Sequence, residues 1–284
     1  MNSSGHVQAA IRWGFSSMGA PELTLSETLA LAAEFGLDFV ELRSLEKSLD
    51  LPAVLAAYDP QPAPASFPVP VVLVASSLQL IEATEDDIAA FLRFAEAAVQ
   101  VGARYVRVFG GGTWGRKLDP EQLEHARKVV ATCRKRLAHA APGVRMILET
   151  HSAFSSASAC QRLNHALGDA GPLEILWDSH HTWRLAREDP EETWALVGPL
   201  VRHIHYKDSC HALQHVSRSS YVLPGKGEYP GADLFQMLVR ERYAGGFSLE
   251  WERLWHADLP PLREALAAFR DRIAEWTAPA ALKP

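Results

Sequence analysis

The sequence has few cysteines, no basic excess and no long apolar run. Its three cysteines among 284 residues (Cys133, Cys160 and Cys210) contain no C-x-x-C pair, and their odd number favours reduced thiols. A formal net charge of −6 argues against a nucleic-acid groove, because phosphate binding usually needs a basic face. No stretch approaches 18 apolar residues, so we expect no membrane-spanning helix.

The N-terminal ten residues, MNSSGHVQAA, lack the basic start and the apolar segment of a signal peptide. With the reduced thiols, this predicts a cytoplasmic protein. The composition, 48% hydrophobic and 22% charged, is ordinary for a globular chain.

Helical patterns alternate with apolar strands along the chain. The predicted helices are 25–35, 84–101, 120–140, 156–170, 190–200, 232–242 and 260–276, with a degenerate helix and a stiff loop in the Ala/Pro-rich segment 51–67. The predicted strands are 10–15, 38–43, 70–76, 104–109, 145–149, 174–178, 202–206 and 247–251. Eight alternations imply parallel pairing, and the length suits a barrel of about 250 residues.

We therefore predict an α/β protein, one (β/α)8 TIM barrel, with residues 1–284 as a single domain. The rival is an open doubly wound sheet, which needs a glycine-rich phosphate turn after the first strand. The segment RWGFSSMGAPE (12–22) is a poor version of such a turn.

Local signals support the element boundaries. The junctions at 34–42, 100–108 and 242–250 each place glycine where a helix end needs a positive φ. The Asp-Pro-Glu segments at 119–121 and 189–191 each supply a helix N-cap followed by proline.

Four predicted strands end in a residue type that binds metals. The segments are ILETH (147–151), ILWDSHH (175–181), HIHYKD (203–208) and SLEWE (248–252). In a barrel these ends meet at one face, so we expect Glu149, Asp178, His205 and Glu250 to share one divalent cation. Carboxylates and one imidazole suit Mn²⁺, Mg²⁺, Co²⁺ or Zn²⁺. The alternative is that these acids form structural ion pairs with buried Arg or Lys.

The motifs resemble those of the sugar phosphate isomerase/epimerase superfamily, the xylose isomerase-like TIM barrels. The similar features, which span nearly the whole chain, are Glu149-x-His151, Asp178-x-x-His181, the segment from His205 to Asp208, Gly225 to Glu228, and Tyr243 to Glu250. Each motif alone is weak, whereas their order and spacing are typical of the superfamily.

The resemblance implies a metal-dependent sugar or sugar phosphate isomerase or epimerase that transfers protons through an enediolate. Glu149, Asp178, His205 and Glu250 would bind the metal, and Glu149 and Glu250 would act as base and acid. His181 would hold a substrate hydroxyl. The implied partner is a small-molecule carbohydrate, and a homo-oligomer is compatible with the sequence.

Further residues are candidates for the barrel mouth. They are His151, Arg107, Glu41, Lys207 and Trp13 for substrate binding, with Arg43, four tryptophans (Trp114, Trp183, Trp251, Trp255) and the loop 223–231 as additional mouth features. Arg107 has an alternative as the ion-pair partner of Glu149 or Glu41. We expect His203 to lie one layer below His205 as a hydrogen-bonded core residue.

Three other functions compete with the isomerase. A dehydratase of the inosose or dehydroshikimate type would use the same one-metal barrel. An apurinic endonuclease of the superfamily would carry a trinuclear zinc cluster with histidines after the third and fourth strands, and the segments 74–80 and 107–112 contain none. A non-catalytic sugar-binding barrel would tolerate loss of the two glutamates.

Overall fold

The computed structural model describes residues 11–61, 63–210 and 221–278. The N-terminal segment 1–10, on which the prediction about a signal peptide rests, lies outside the described residues. No helix in the described ranges is long and apolar enough to cross a bilayer.

Eight strands form a closed parallel barrel in chain order, because β1 pairs with both β2 and β8. They are β1 (Arg12–Ser16), β2 (Phe39–Leu42), β3 (Val71–Gln79), β4 (Tyr105–Phe109), β5 (Arg145–Glu149), β6 (Glu174–Asp178), β7 (Val201–Tyr206) and β8 (Gly246–Leu249). This closure confirms the predicted TIM barrel and excludes the open sheet. The last strand ends one residue before Glu250, which lies in the following loop.

Helices of six or more residues connect the strands. They are α1 (Leu25–Glu34), α2 (Leu51–Ala56), α3 (Glu85–Gln100), α4 (Pro120–Ala140), α5 (Ala157–Ala166), α6 (Pro190–Val197), α7 (Gly231–Arg240) and α8 (Leu262–Thr277). The second helix is short, as predicted for an Ala/Pro-rich segment, because a helix cannot readily continue through Pro60 beyond its end. The fifth helix is shorter than predicted, because Gly168 just beyond it takes a φ of 52°.

The predicted caps are present at α4 and α6. The carboxylates of Asp119 and Asp189 accept the backbone N–H of Glu121 and Glu191. Each proline then occupies the first turn, where its missing donor costs nothing.

The three glycine junctions are not alike. Gly36 and Gly102 have φ values of 66° and 72°, as predicted for helix ends. At the third junction the prediction is wrong, because Arg242 takes the positive φ of 55°. Gly246 is needed there for space instead, since a Cβ at this position would lie 2.6 Å from Nδ1 of His203.

The apolar core lies mainly between the barrel and the helices. A second, small apolar cluster fills the middle of the barrel and consists of Leu73, Ala75, Ile147 and Leu176. Since strand side chains alternate between faces, the residues two positions further along β5 and β6 also point inward. These positions are Glu149 and Asp178, so a charged layer caps the apolar one at the carboxyl end.

Candidate metal centre and active-site cavity

Four buried side chains converge at the carboxyl end of the barrel. Glu149 ends β5, Asp178 ends β6, His205 lies on β7, and Glu250 follows β8. One potential ligand atom from each lies within 4.8 Å of all the others. The register explains part of this meeting, because Asp178 lies opposite His205 on the neighbouring strand. The structure thus brings together the four residues that the sequence predicts as metal ligands.

The donor atoms of this group fit a divalent cation. The buried atoms Glu149 Oε2, Asp178 Oδ2, His205 Nδ1 and Glu250 Oε2 make no hydrogen bond of good geometry, although an oppositely charged group lies 2.5–3.2 Å from each. Three carboxylates concentrate negative charge in this small buried region, and a divalent cation would neutralise that charge. Three carboxylates and an imidazole are ligands that Mn²⁺, Mg²⁺, Co²⁺ and Zn²⁺ accept. Buried acidic and histidine side chains can therefore hold a metal at this site.

Glu41 orients the histidine of this group. Its carboxylate is fully buried, accepts a hydrogen bond from Oγ of Ser248 at 2.8 Å, and lies 3.0 Å from His205 Nε2. Burial raises the pKa of Glu41, but His205 and His203 outweigh it and hold this pKa far below its usual range. Because an ionised carboxylate can only accept, Nε2 of His205 carries the proton and Nδ1 faces the other three ligands.

The expected role of Glu41 in contacting substrate at the mouth is therefore not supported by its position. It lies beneath His205 and does not line the cavity described below. His203 lies beside it, with Nε2 2.9 Å from Ser248 Oγ, as predicted for a hydrogen-bonded residue of the deeper layer.

The substitution Glu41→Gln tests this support. A neutral amide makes Nδ1 of His205 less basic and leaves the ring less firmly oriented, so Mn²⁺ affinity should fall by about 10–100-fold. Titration calorimetry measures the change. Glu174→Gln is the matched control, because Glu174 is a buried glutamate paired with Arg202 at the other end of β6. Unchanged affinity in Glu41→Gln would contradict the assignment.

The two glutamates of the centre have opposite electrostatic surroundings. Burial raises the pKa of Glu149, and Arg107, with Nε 3.2 Å from Oε2, only partly opposes it. Burial also disfavours the charge on Glu250, but His205 and Lys207 outweigh it and hold that pKa well below its usual range. The alternative predicted for Arg107, an ion pair with Glu149, is therefore present, while Arg107 also lines the cavity.

A cavity of about 280 Å³ opens beside the ligand group, and two of the four ligands, Glu149 and Glu250, line it. Its walls are Met18, Arg43, Arg107, Phe109, Glu149, His151, His181, Lys207, Glu250, Glu252 and Trp255. Four predicted substrate-binding residues thus lie together, namely Arg107, His151, His181 and Lys207, along with Arg43, which was predicted at the barrel mouth. Phe109 and Met18 also line the cavity and were not predicted from the sequence. Strand alternation signals Phe109, which is two residues beyond Arg107, whereas Met18 follows β1 and carries no periodic signal.

The two histidines of the cavity form one wall. The rings of His151 and His181 are 5.0 Å apart, and His181 Nδ1 lies 3.0 Å from Asp178 Oδ2 and 3.1 Å from the carbonyl of Thr150. Burial, helped by the neighbouring His181 and Arg107, lowers the pKa of His151 to about 3. A neutral imidazole in this position can accept or donate a hydrogen bond to a polar ligand.

Trp13 lies away from the cavity. Its ring packs against Phe235, Phe247 and Trp276 in the layer between the barrel and the helices. The side chain of Trp13 points outward from β1, so the prediction that it lies at the barrel mouth is wrong. Of the four tryptophans considered for the mouth, Trp255 lines the cavity and is 54% exposed. Trp251 is buried in the core.

The loop 223–231 is held by Asp208 below it. The Asp208 carboxylate accepts backbone N–H groups from Ser209, Gly225, Gly227 and Tyr229. Lys226 and Glu228 on this loop, which was predicted at the barrel mouth, are not part of the cavity wall. In the described residues this loop is a pinned turn beside the site.

Replacing Asp208 by Asn should release that loop. In the parent the carboxylate accepts hydrogen bonds from backbone N–H groups. The amide of asparagine would turn its own N–H groups toward some of these donors, so the free energy of unfolding should fall by about 1–3 kcal/mol. Urea denaturation measures the change, with the exposed Asp258→Asn as the control. Equal stability of Asp208→Asn and the parent would show that the four hydrogen bonds do not stabilise the fold.

Comparison with known proteins agrees with this architecture. A family model described as a xylose isomerase-like TIM barrel matches residues 29–272. No curated protein matches the sequence.

Several solved structures have the same fold. The probable 3-DHS dehydratase AsbF from Bacillus anthracis superposes with a TM-score of 0.75 at 16% identity, covering 93% of this chain and 99% of that one. The IOLI protein with a binding zinc atom superposes with a TM-score of 0.69 at 16% identity, covering 94% of this chain and 98% of that one. The 3-keto-D-glucoside 4-epimerase YcjR from E. coli superposes with a TM-score of 0.63 at 18% identity, covering 94% of this chain and 98% of that one. At such identities the likeness establishes the fold alone.

Proposed function

The chain belongs to the xylose isomerase-like TIM barrel family, and on that premise we propose that it is a divalent-metal-dependent isomerase or epimerase of a small carbohydrate. The proposed reaction moves a proton at the carbon beside a carbonyl group. The proposed metal ligands are Glu149, Asp178, His205 and Glu250.

One observation carries the proposal: two glutamates from different strands face the same cavity and the same ligand cluster. Nδ1 of His205 lies 3.9 Å from Glu149 Oε1 and 3.1 Å from Glu250 Oε2, so both carboxylates reach one small region. Glu149 approaches from β5 and Glu250 from the end of β8. A substrate carbon between them would have one carboxylate on each side, as a two-base proton transfer requires.

The other wall residues would bind and orient the substrate. A divalent cation, when bound, supplies a Lewis acid that draws electron density from the substrate's oxygens and makes the neighbouring C–H more acidic. His151 and His181 supply hydrogen-bonding nitrogens on one wall, while Arg43 and Arg107 supply guanidinium groups. Either glutamate can take the proton from one face while the other returns a proton on the opposite face.

The size and chemistry of the cavity support a monosaccharide-sized substrate. Small-molecule sites commonly measure about 300–1,000 Å³, and this cavity of about 280 Å³ is at the lower limit. Its polar walls suit a molecule with many hydroxyl groups. YcjR, which shares the fold, is named as an epimerase of a 3-keto-D-glucoside.

A dehydratase is the second candidate, and Lys207 favours it. The Lys207 ammonium lies in the cavity wall beside Glu250 and Glu252, where it can donate a proton to a departing hydroxyl group. Loss of water would then follow the same initial proton removal. The fold shared with AsbF, whose name describes it as a probable 3-DHS dehydratase, supports this second candidate.

The experiment is deuterium exchange with a panel of ketoses, ketose phosphates, inososes and dehydroshikimate. The protein is loaded with Mn²⁺ and incubated in deuterated water, and the products are read by NMR. Deuterium beside the carbonyl in an isomeric product supports the isomerase or epimerase. Exchange accompanied by loss of water identifies the dehydratase. Absence of exchange with the whole panel, while a ligand binds, would leave a non-catalytic sugar-binding barrel.

A further inference from the structure

A buried lysine contacts two of the four proposed metal ligands. Lys207 follows β7 and is only 2% exposed. Its Nζ lies 2.8 Å from Asp178 Oδ2 and 2.5 Å from Glu250 Oε2, and it also contacts Oε1 of Glu252. Asp178 and Glu250 both belong to the ligand group.

An ammonium and a divalent cation compete for these oxygens. A metal would lie about 2.0–2.6 Å from each carboxylate oxygen it binds. Nζ already lies at a similar distance from the same atoms of Asp178 and Glu250. Two cations so close repel each other strongly in a buried site, so both cannot remain in these positions.

Glu252 provides a second position for the ammonium. It is outside the four-ligand group, lines the cavity, and already contacts Nζ. Tyr221 donates a hydrogen bond to Glu252 Oε1 at 3.0 Å, and its ring centre lies 5.8 Å from Nζ. A small rotation about the flexible lysine chain can therefore retain a paired ammonium while freeing Asp178 and Glu250.

We propose that Lys207 is the resident cation of the metal-free centre, and that metal loading displaces its ammonium from Asp178 and Glu250 to Glu252. This inference rests on the proposed metal centre. In the metal-free protein Lys207 compensates part of the buried negative charge of Asp178 and Glu250. The measured metal affinity is then the balance between the divalent ion and an internal competitor.

Two opposite affinity changes test the displacement. Lys207→Met removes the competitor, so the variant should bind Mn²⁺ at least tenfold more tightly than the parent, while its metal-free Tm falls. Glu252→Gln removes the charged acceptor of the displaced ammonium, so this variant should bind Mn²⁺ more weakly. Titration calorimetry and electron paramagnetic resonance of free Mn²⁺ report affinity without any substrate or turnover.

Lys226→Met is the control, because Lys226 is exposed on the pinned loop and should leave the affinity unchanged. Equal or weaker Mn²⁺ binding by Lys207→Met overturns the inference. Unchanged Mn²⁺ binding by Glu252→Gln also overturns it, and this second result can be obtained even when Lys207→Met does not fold. A parent protein that binds no Mn²⁺ would instead refute the metal centre itself and thus the proposed function.

Discussion

Replacing Glu250 by Gln should lower the rate of deuterium exchange by about 10²–10⁴-fold, the range typical for loss of a positioned acid or base. Glutamine keeps the shape of the side chain but neither removes nor returns a proton at the substrate carbon. Glu149→Gln should cause a loss of similar size, because each carboxylate is proposed to face one side of that carbon. Exchange into the active member of the substrate panel gives the rates.

Glu174→Gln is the matched control for both variants. Glu174 is also buried and ion-paired, yet it lies at the opposite end of β6 from Asp178. Its exchange rate should equal that of the parent under conditions in which both proteins are folded. A Glu250→Gln enzyme with a near-parental rate would show that the two-carboxylate mechanism is wrong.

Removing the metal should abolish exchange altogether. Protein purified without chelator is expected to carry close to one equivalent of a divalent ion, and dialysis against a chelator followed by Mn²⁺ should remove and restore activity. Because the ion binds the folded state, Mn²⁺ at 100 times its dissociation constant should add about 2.7 kcal/mol to the free energy of unfolding. Elemental analysis and thermal unfolding measure the two effects.

The metal content also separates the competing functions. Two or three zinc ions per chain would support the multi-metal endonuclease. Full exchange activity after exhaustive chelation would contradict a metal-dependent reaction. The control is the parent dialysed without chelator, which should keep both its metal and its rate.

The barrel and the ligand positions followed from periodic features of the sequence. Apolar strands separated by helices with recognisable caps, such as Asp119-Pro120, predicted eight β/α units with nearly correct boundaries. Strand alternation predicted the direction of Glu149, Asp178 and His205, because a residue two positions along a strand returns to the same face. Parallel closure then brings the strand ends to one face.

Alternation along a strand does not give the depth of a residue or the partner it meets across the barrel. Register shifts occur between Val40 and Glu41 on β2 and between Ile175 and Leu176 on β6. Such irregularities move side chains relative to their neighbours, and no local sequence pattern predicted them. Trp13 was assigned to the wrong face for a related reason, since an aromatic residue on a buried strand suits either side.

The sequence by itself determined the fold class and the residues that end the strands. Only the tertiary structure decided that Glu41 lies beneath His205, a contact across 164 positions of sequence, and that Lys207 contacts Asp178 and Glu250. Local periodicity is set by neighbouring residues, whereas these contacts depend on the closure of eight strands around one axis. The charged side chains inside then pair with whatever opposite charge the closed barrel brings within reach, because a buried charge is costly alone.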